Sequence, residues 1–404
     1  MQSVEITPGN KASIYLLAAS VFAISTVEML PLGLLMKIVE EYQVSIKTAG
    51  LVVSVYALGV VAGGPLLTAL TSKVPRKKLL LALLVLFLSG SLLSALATTF
   101  PVLLIARLIS AVAHGAFFGV AVVLASQLAE PGKKGSSIAL VGSGLSLATV
   151  LGGPLGTLLG QQLGWRFPFL AVAILALVTI LGIAKVVPHL PGGEAPHFRQ
   201  QMRAIIRIRV LLALLTTVFS FAGVFLVLTY IAPLLTEHTK LPEAAVPHIL
   251  LLFGVGTAIG NLLGGKLADK RLVATLLGSM ILVTLIMTAF TITSHFRIPM
   301  AITIFLWGVT SFALVTPLNM QVLKHSEGAQ DLASSMNISA FNLGNALGAF
   351  IGGYVVDSHY GLGELPIVSA LLTLLGIGLL VCGVMQDRRQ SATSSIHQTK
   401  STES

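Results

Sequence analysis

Residues 14–35 form an apolar run, IYLLAASVFAISTVEMLPLGLL, that contains a single acid, Glu28. A helix of this length measures about 33 Å, enough to cross a hydrocarbon core of about 30 Å. An ionisable group at such a depth costs on the order of 3 kcal/mol and is rarely left facing lipid. The run therefore predicts a transmembrane helix, and Glu28 becomes the first candidate for a functional residue.

Similar runs recur along the whole chain. Only 10% of the residues are charged, whereas a soluble domain carries about 25%, so the chain must bury its apolar surface in lipid. The single cysteine, Cys382, excludes an intramolecular disulfide and a cysteine metal cluster. We predict an all-α integral membrane protein with twelve transmembrane helices, at residues 14–35, 49–70, 79–98, 101–126, 136–160, 166–187, 210–235, 246–268, 272–294, 298–323, 332–356 and 364–386.

The longest internal connection divides these spans six and six. Its second part, PHFRQQMRAIIRIR, has the pattern of an amphipathic basic helix lying on the inner leaflet, although a solvated linker would fit as well. The predicted organisation is an N-terminal segment (1–13), a six-helix bundle (14–187), a central loop (188–209), a second six-helix bundle (210–386) and a disordered Ser/Thr-rich tail (387–404).

The two groups of six spans carry a sequence repeat. LATVLGGPLG in the fifth span and LGNALGAFIG in the eleventh share two leucines and two glycines at a constant offset of 196 residues. Small residues at this spacing let helix backbones approach closely. An offset near half the chain length indicates duplicated six-helix halves.

The basic residues predict the orientation. If both termini are cytoplasmic, nineteen of the 25 Lys and Arg residues fall in cytoplasmic segments and five fall outside, with Arg107 inside a span. This matches the positive-inside rule. The net charge of +10 is therefore explained by short loops at a membrane, and nucleic acid is not an expected partner.

Three ionisable residues of the N-terminal half form a candidate proton-coupling group. From the predicted span ends, Glu28 lies about 11 Å deep, Arg107 about 9 Å and His114 about 20 Å, near the midplane. An acid, an arginine and a histidine in the membrane can bind and pass protons. The alternatives are that Arg107 braces two helices, that His114 only hydrogen-bonds a backbone, and that Glu28 is permanently paired.

Other features point to conformational change and to a substrate site. Gly153-Pro154 removes a backbone hydrogen bond in mid-span, so it is a hinge or a packing kink. Polar side chains cluster late in the chain, where amides can bind a solute but also hold helices together. The cavity candidates are Tyr230, Trp307, Asn319, Asn337 and Asn342, whereas most of the amides in this cluster, which also includes Gln321 and Asn345, are expected to hold helices together.

No hydrolase, metalloprotease or P-loop signature is present in the sequence. We therefore expect no enzyme activity and no cofactor, and the energy for any transport must come from an ion gradient or from the substrate's own gradient. A membrane enzyme with His114 as its base is a remote alternative, because it lacks a nucleophile in a recognisable motif.

The motifs together resemble the major facilitator superfamily. GGKLADKR resembles the loop motif of that family, RLISAVAHG resembles its arginine motif, and GSGLSLATVLGGPLG resembles its antiporter motif. STVEMLPLGLL and LGWRFPFLAV resemble one branch of the family, the drug/proton antiporters, and especially its sugar efflux permeases and purine-nucleoside exporters. The resemblance implies a role in the inner gate for Asp269 and a role in proton coupling for Arg107. In the first-half loop, Ser72 stands where the family usually has that Asp.

This resemblance implies a secondary transporter of the bacterial inner membrane that exports a small organic solute in exchange for protons. A drug, a sugar or a nucleoside-like molecule is expected as the substrate, and the protein is expected to act as a monomer in the lipid bilayer. The alternative is a facilitator or uptake permease on the same fold, in which Glu28 is structural.

Overall fold

The computed structural model describes residues 11–71, 73–130, 133–188, 206–326, 330–359 and 361–402. Every regular element within these ranges is helical, and ten helical stretches there are apolar and long enough to cross a membrane. The predicted all-α integral membrane fold is confirmed. Residue 72 and most of the predicted segments 1–13 and 188–209, including the amphipathic helix, lie outside the described residues.

The N-terminal half, defined here as the described residues 11–188, begins with the most buried of its helices. Its elements are α1 (Lys11–Tyr42), α2 (Ile46–Leu70), α3 (Arg76–Leu96), α4 (Phe100–Leu128), α5 (Lys134–Leu147), a π-helical turn (Ala148–Gly152), α6 (Gly153–Leu163) and α7 (Phe167–Val186).

The C-terminal half, residues 206–402, also begins with its most buried span. Its elements are α8 (Ile208–Thr229), a short turn (Ile231–Pro233), a π-helical turn (Leu234–His238), a 3₁₀ turn (Glu243–Ala245), α9 (Val246–Thr293), α10 (Arg297–Phe312), α11 (Val315–Lys324), α12 (Gln330–Val356), a 3₁₀ turn (Leu362–Glu364) and α13 (Leu365–Thr402).

Three helix boundaries differ from the predicted spans for local reasons. α8 ends before Tyr230 because Pro233 has no N–H to donate to the carbonyl of Thr229. The eighth and ninth predicted spans form one 48-residue element, α9, interrupted only at Arg271, where φ is −148° and ψ is 75°. The predicted disordered tail is helical as far as Thr402, and neither glycine nor proline interrupts residues 387–402.

The internal repeat is visible in the packing of the two halves. A methyl group at Gly152 would lie 2.3 Å from the Oγ1 of Thr26 in α1, and one at Gly348 would lie 2.2 Å from the carbonyl oxygen of Ala222 in α8. Gly152 and Gly348 are 196 residues apart, and so are their partners, Thr26 and Ala222. The same close approach of two helices, which only glycine permits, therefore occurs once in each half.

The halves meet along two seams. α2 packs against α12, and α9 packs against α6 and the preceding π-helical turn. At one end of the bundle the halves are also joined by two ion pairs, Lys37–Glu243 at 3.1 Å and Lys47–Asp357 at 3.2 Å. We call this the paired end. The opposite end, which carries Lys77, Lys134 and Lys270, is called the basic end; the described residues form no ion pair between the halves there.

Candidate functional site

Glu28 lies in α1 with only 8% of its surface exposed, and its two carboxylate oxygens face different halves of the protein. Oε2 is 3.8 Å from Nδ1 of His114, on α4 of the same half. Oε1 accepts a hydrogen bond from Nδ2 of Asn345, on α12 of the C-terminal half, at 3.5 Å. The acid predicted from the sequence is thus buried at the contact between the two halves.

Tyr56 of α2 completes this group. Its hydroxyl lies 3.0 Å from Nδ1 of His114, the nitrogen that also faces Glu28. One ring nitrogen therefore lies at hydrogen-bond distance from a phenol and 3.8 Å from a carboxylate oxygen. Sequence reasoning missed Tyr56, although it is the only tyrosine in the predicted span 49–70.

Arg107 of α4 is fully buried and holds the backbones of two neighbouring helices. Its Nη1 donates to the carbonyl oxygen of Val27 at 2.7 Å and its Nε to that of Val52 at 3.3 Å. Its guanidinium lies 4.0 Å from the centre of the Tyr56 ring, a cation–π contact. Nη2 has no hydrogen-bond partner among the described residues.

The structure brings the three predicted residues together, but with different partners from those expected. Depth along the helices placed Glu28 level with Arg107. The carboxylate instead reaches His114, while Arg107 binds the carbonyl of Val27, the residue before Glu28. Arg107 therefore acts on the site through a positive charge held beside it, without a direct ion pair within the described residues.

The predicted cavity residues with aromatic rings are buried in helix packing. The Tyr230 hydroxyl donates to the carbonyl oxygen of Ala349 at 2.7 Å, which ties α8 to α12. Trp307 is fully buried, with its ring centre 4.7 Å from that of Phe253 and 6.5 Å from that of Phe290. Both side chains hold the C-terminal half together.

The three predicted amides are also bonded within the C-terminal half. Nδ2 of Asn337 donates to Oδ1 of Asn319 at 3.3 Å, and Oδ1 of Asn337 accepts from the Thr217 hydroxyl at 2.8 Å. Nδ2 of Asn342 donates to Ile338, one turn back in its own helix. The Asn337 contacts join helices, which is the role the sequence analysis expected for most of the amides, whereas the Asn342 contact stays within its own helix.

A narrow apolar cleft with a free volume of about 20 Å³ lies between the halves in this conformation, and Met29, the residue after Glu28, is part of its lining. Its lining contains no charged side chain and none of the five predicted cavity residues. Thr149 is the one lining residue with a polar side chain, and its hydroxyl already donates to Leu145. The cleft is lined by Met29, Leu32, Thr149, Gly153, Pro154, Phe225, Leu228, Leu250, Phe253 and Phe312.

The predicted hinge coincides with an interruption of the helix. The π-helical turn Ala148–Gly152 directly precedes Gly153 and Pro154, and both of these line the cleft. Proline cannot donate a backbone hydrogen bond, so the helix is locally loosened there. The helix break agrees with the sequence, whereas movement at this point stays a prediction.

Asp269, the predicted gate residue, lies exposed near the basic end, two residues before the break in α9 at Arg271. Its carboxylate makes no ion pair or hydrogen bond with the described residues. At the opposite, paired end, by contrast, two ion pairs join the halves. A role for Asp269 in closing the basic end stays a prediction.

These features define a class of protein. A multi-pass helical bundle with repeated halves, an apolar cleft between them and a buried ionisable cluster at their contact has the architecture of a membrane transporter. Residues 16–330 match the family described as Major Facilitator Superfamily, and the chain belongs to that family. Members of this family are transporters and not enzymes, so the remote alternative of a membrane enzyme is set aside.

Individual relatives cover nearly the whole chain. It is 39% identical to the inner membrane transport protein YdhP of Escherichia coli K12, over 93% of this chain and 96% of that one. It is 33% identical to a chloramphenicol resistance protein of Streptomyces lividans, over 91% and 94%. The solved structure of a D-xylose-proton symporter matches the fold with a TM-score of 0.72 at 16% identity, covering 92% of this chain and 96% of that chain.

The hinge is tested by filling Gly153. A Cβ there would lie 3.3 Å from the Cβ of Met29, so Gly153→Leu overpacks the contact between the fifth and first spans. We expect transport to slow about tenfold, equal to about 1.4 kcal/mol, with normal expression. Gly142→Leu, in α5, is the matched control, because a side chain there meets no atom within 4 Å. Equal transport rates in solute-loaded vesicles for the two variants would contradict the hinge.

Proposed function

We propose that this transporter is a proton-coupled antiporter that exports a small organic solute by alternating access. The observation that carries the proposal is the position of Glu28, buried between His114 of one half and Asn345 of the other. A carboxyl group at a moving interface changes its surroundings when the halves rock, so its affinity for a proton changes with conformation.

The chemistry of the site supports one residue that binds the proton, Glu28, assisted by neighbouring polar side chains. Glu28 binds the proton, and the shared Nδ1 of His114 offers a route for the proton toward Tyr56. The buried Arg107 places a positive charge beside the site. No bound cofactor is needed, because the proton gradient supplies the energy.

The cleft supports a solute of low polarity. Three phenylalanines and four aliphatic side chains or methionines surround it, and its single hydroxyl is already bonded to backbone. The Thr149 oxygen can still accept one hydrogen bond, but each further solute hydroxyl buried there would lose its bonds to water without replacement, which costs roughly 1–3 kcal/mol for each group. An uncharged, largely aromatic molecule therefore suits this cleft better than a sugar.

The names of relatives support export. One relative is a chloramphenicol resistance protein, and another, from Helicobacter pylori, bears the name of a probable sugar efflux transporter at 31% identity. Efflux is outward movement of solute, and a transporter that confers drug resistance does so by the same outward movement. One chain supplies both walls of the cleft and the whole Glu28 cluster, so a monomer suffices for transport.

A facilitator or uptake permease is the alternative on the same fold. Its supporting observation is that Glu28 already has polar partners on two helices, as a structural carboxylate would. In that case the protein would move solute without moving protons. Simultaneous recording of solute efflux and proton uptake in reconstituted vesicles separates the two functions.

Glu28→Gln tests the proton site directly. Glutamine keeps the shape and the hydrogen-bonding capacity of the acid but cannot titrate. We expect efflux driven by a pH gradient to be abolished, whereas solute binding survives and loses its dependence on pH. Glu40→Gln, an exposed acid of the same helix, is the control and should transport normally. If the Glu28 variant still concentrates solute against its gradient, the coupling site lies elsewhere.

Phe312 tests the cleft. Its ring lines the cleft and touches Phe221, at 6.2 Å between ring centres. Phe341 also touches Phe221, at 4.4 Å, but does not line the cleft. Phe312→Ala should weaken equilibrium binding of an uncharged aromatic solute such as chloramphenicol about tenfold, because it removes an aromatic contact. Phe341→Ala should leave binding unchanged; an equal loss in both would remove the cleft as the binding site.

The charge distribution supports an orientation in which the basic end lies at the cytoplasmic face of the membrane and the paired end lies at its outer face. The exposed Cys382 is first replaced by serine. A membrane-impermeant thiol reagent added to intact cells should then label Glu237→Cys and spare Lys270→Cys, both at exposed positions. The reverse labelling pattern would invert the topology.

A further inference from the structure

We propose that Asn345 senses the protonation state of Glu28 and transmits it to the contact between the two halves. The inference rests on the proposed role of Glu28 as the proton site. It makes Asn345 a positioning residue in the C-terminal half, whereas Glu28, His114, Tyr56 and Arg107 all lie in the N-terminal half.

The position of Asn345 supports this role. The residue is 5% exposed, and its Nδ2 donates to Oε1 of Glu28 across the interface. Its Oδ1 is buried and has no hydrogen-bond partner among the described residues. The next residue, Ala346, accepts a hydrogen bond from the Ser54 hydroxyl of the N-terminal half at 3.4 Å, so the two halves touch at this level of α12.

The unpartnered oxygen gives Asn345 two ways to bond Glu28. A carboxylate can only accept, so it binds Nδ2 and leaves Oδ1 without a donor. A protonated carboxyl group also donates, so its O–H can bind Oδ1 while its other oxygen accepts from Nδ2, once the Glu28 side chain turns Oε2 from His114 toward Asn345. Protonation therefore exchanges the contact with His114 for a second hydrogen bond between the halves.

The other asparagines of α12 do not have this opportunity. Asn342 also has a buried Oδ1 without a partner among the described residues, but its Nδ2 bonds the backbone of its own helix, and Asn337 bonds Asn319 and Thr217 within the C-terminal half. Of the three, only Asn345 reaches the N-terminal half through a bond seen in the described part of the chain. This difference supplies a matched control on the same helix.

The direction of the effect fits proton-driven export. The present conformation has the paired end closed and the Glu28–Asn345 contact formed. A proton bound to Glu28 strengthens that contact and so favours closure of the paired end. A proton taken up from outside would then return the empty transporter to the state that faces the cytoplasm, where solute is collected.

The pH response of this region also depends on neighbouring groups. His114 and Arg107 face Glu28 from α4, and Tyr56 lies beyond His114 on α2. Any response of these groups persists when Glu28 is replaced by glutamine. The measurement on Glu28→Gln therefore gives their contribution, which can be subtracted.

The experiment measures closure of the paired end as a function of pH. Spin labels at Glu40→Cys and Glu364→Cys, both exposed and in different halves, report the distance by electron paramagnetic resonance in nanodiscs of the Cys382→Ser protein. In the otherwise unchanged protein the short-distance population should grow as pH falls. Asn345→Leu should reduce this growth about fivefold, the effect expected for one hydrogen bond, whereas Asn342→Leu should preserve it.

A second substitution separates the two proposals. Glutamine at position 28 offers both a donor and an acceptor, so Glu28→Gln should hold the paired end closed at every pH, and adding Asn345→Leu should release it. If Glu28→Gln keeps the normal pH response, the proton site is wrong. If Glu28→Gln removes the response but Asn345→Leu and the smaller Asn345→Ser behave like the unchanged protein, the role of Asn345 is wrong and the proton site stands.

Discussion

A carboxyl group inside a hydrocarbon layer must find its polar partners within the protein, because lipid supplies none. Glu28 meets this requirement with a histidine from its own half and an asparagine from the other. The partners are divided between two bodies that move apart in the proposed alternating-access cycle. Because the hydrogen-bonding partners of this one buried acid belong to both halves, proton binding in the proposed mechanism is linked to the contact between the halves.

The glycines make this arrangement possible. Gly152 and Gly348 let the fifth and eleventh spans lie directly against the first and seventh, at equivalent points of the two halves. Helices that approach so closely pack as units, since association in lipid depends on van der Waals contact and on hydrogen bonds between helices. Each half is thereby packed as one unit, as the proposed rocking movement requires, and the π-helical turn before Gly153 lies at the predicted hinge.

Much of the fold could be predicted from the sequence, because a span needs only length and apolarity. The predicted spans 79–98 and 166–187 differ from Arg76–Leu96 and Phe167–Val186 by three residues or fewer at each end. The partners of Glu28 were harder to identify, since depth along a helix does not give rotation about its axis. Tyr56 could not be assigned to the site, and Asn345 could not be distinguished from the amides that only bind helices together.

The ion pairs of the paired end are weak, so a small change at the Glu28 site can shift the proposed movement of the two halves. Lys37–Glu243 and Lys47–Asp357 join side chains that are 32% to 56% exposed. Such pairs contribute about 0–1 kcal/mol each, because water screens them and the long side chains lose freedom. Strong pairs would hold the paired end shut through the whole cycle. Weak pairs keep the two proposed conformations closer in free energy, and one buried hydrogen bond between Glu28 and Asn345, worth roughly 0.5–1.5 kcal/mol, then changes the ratio of their populations about two- to thirteen-fold.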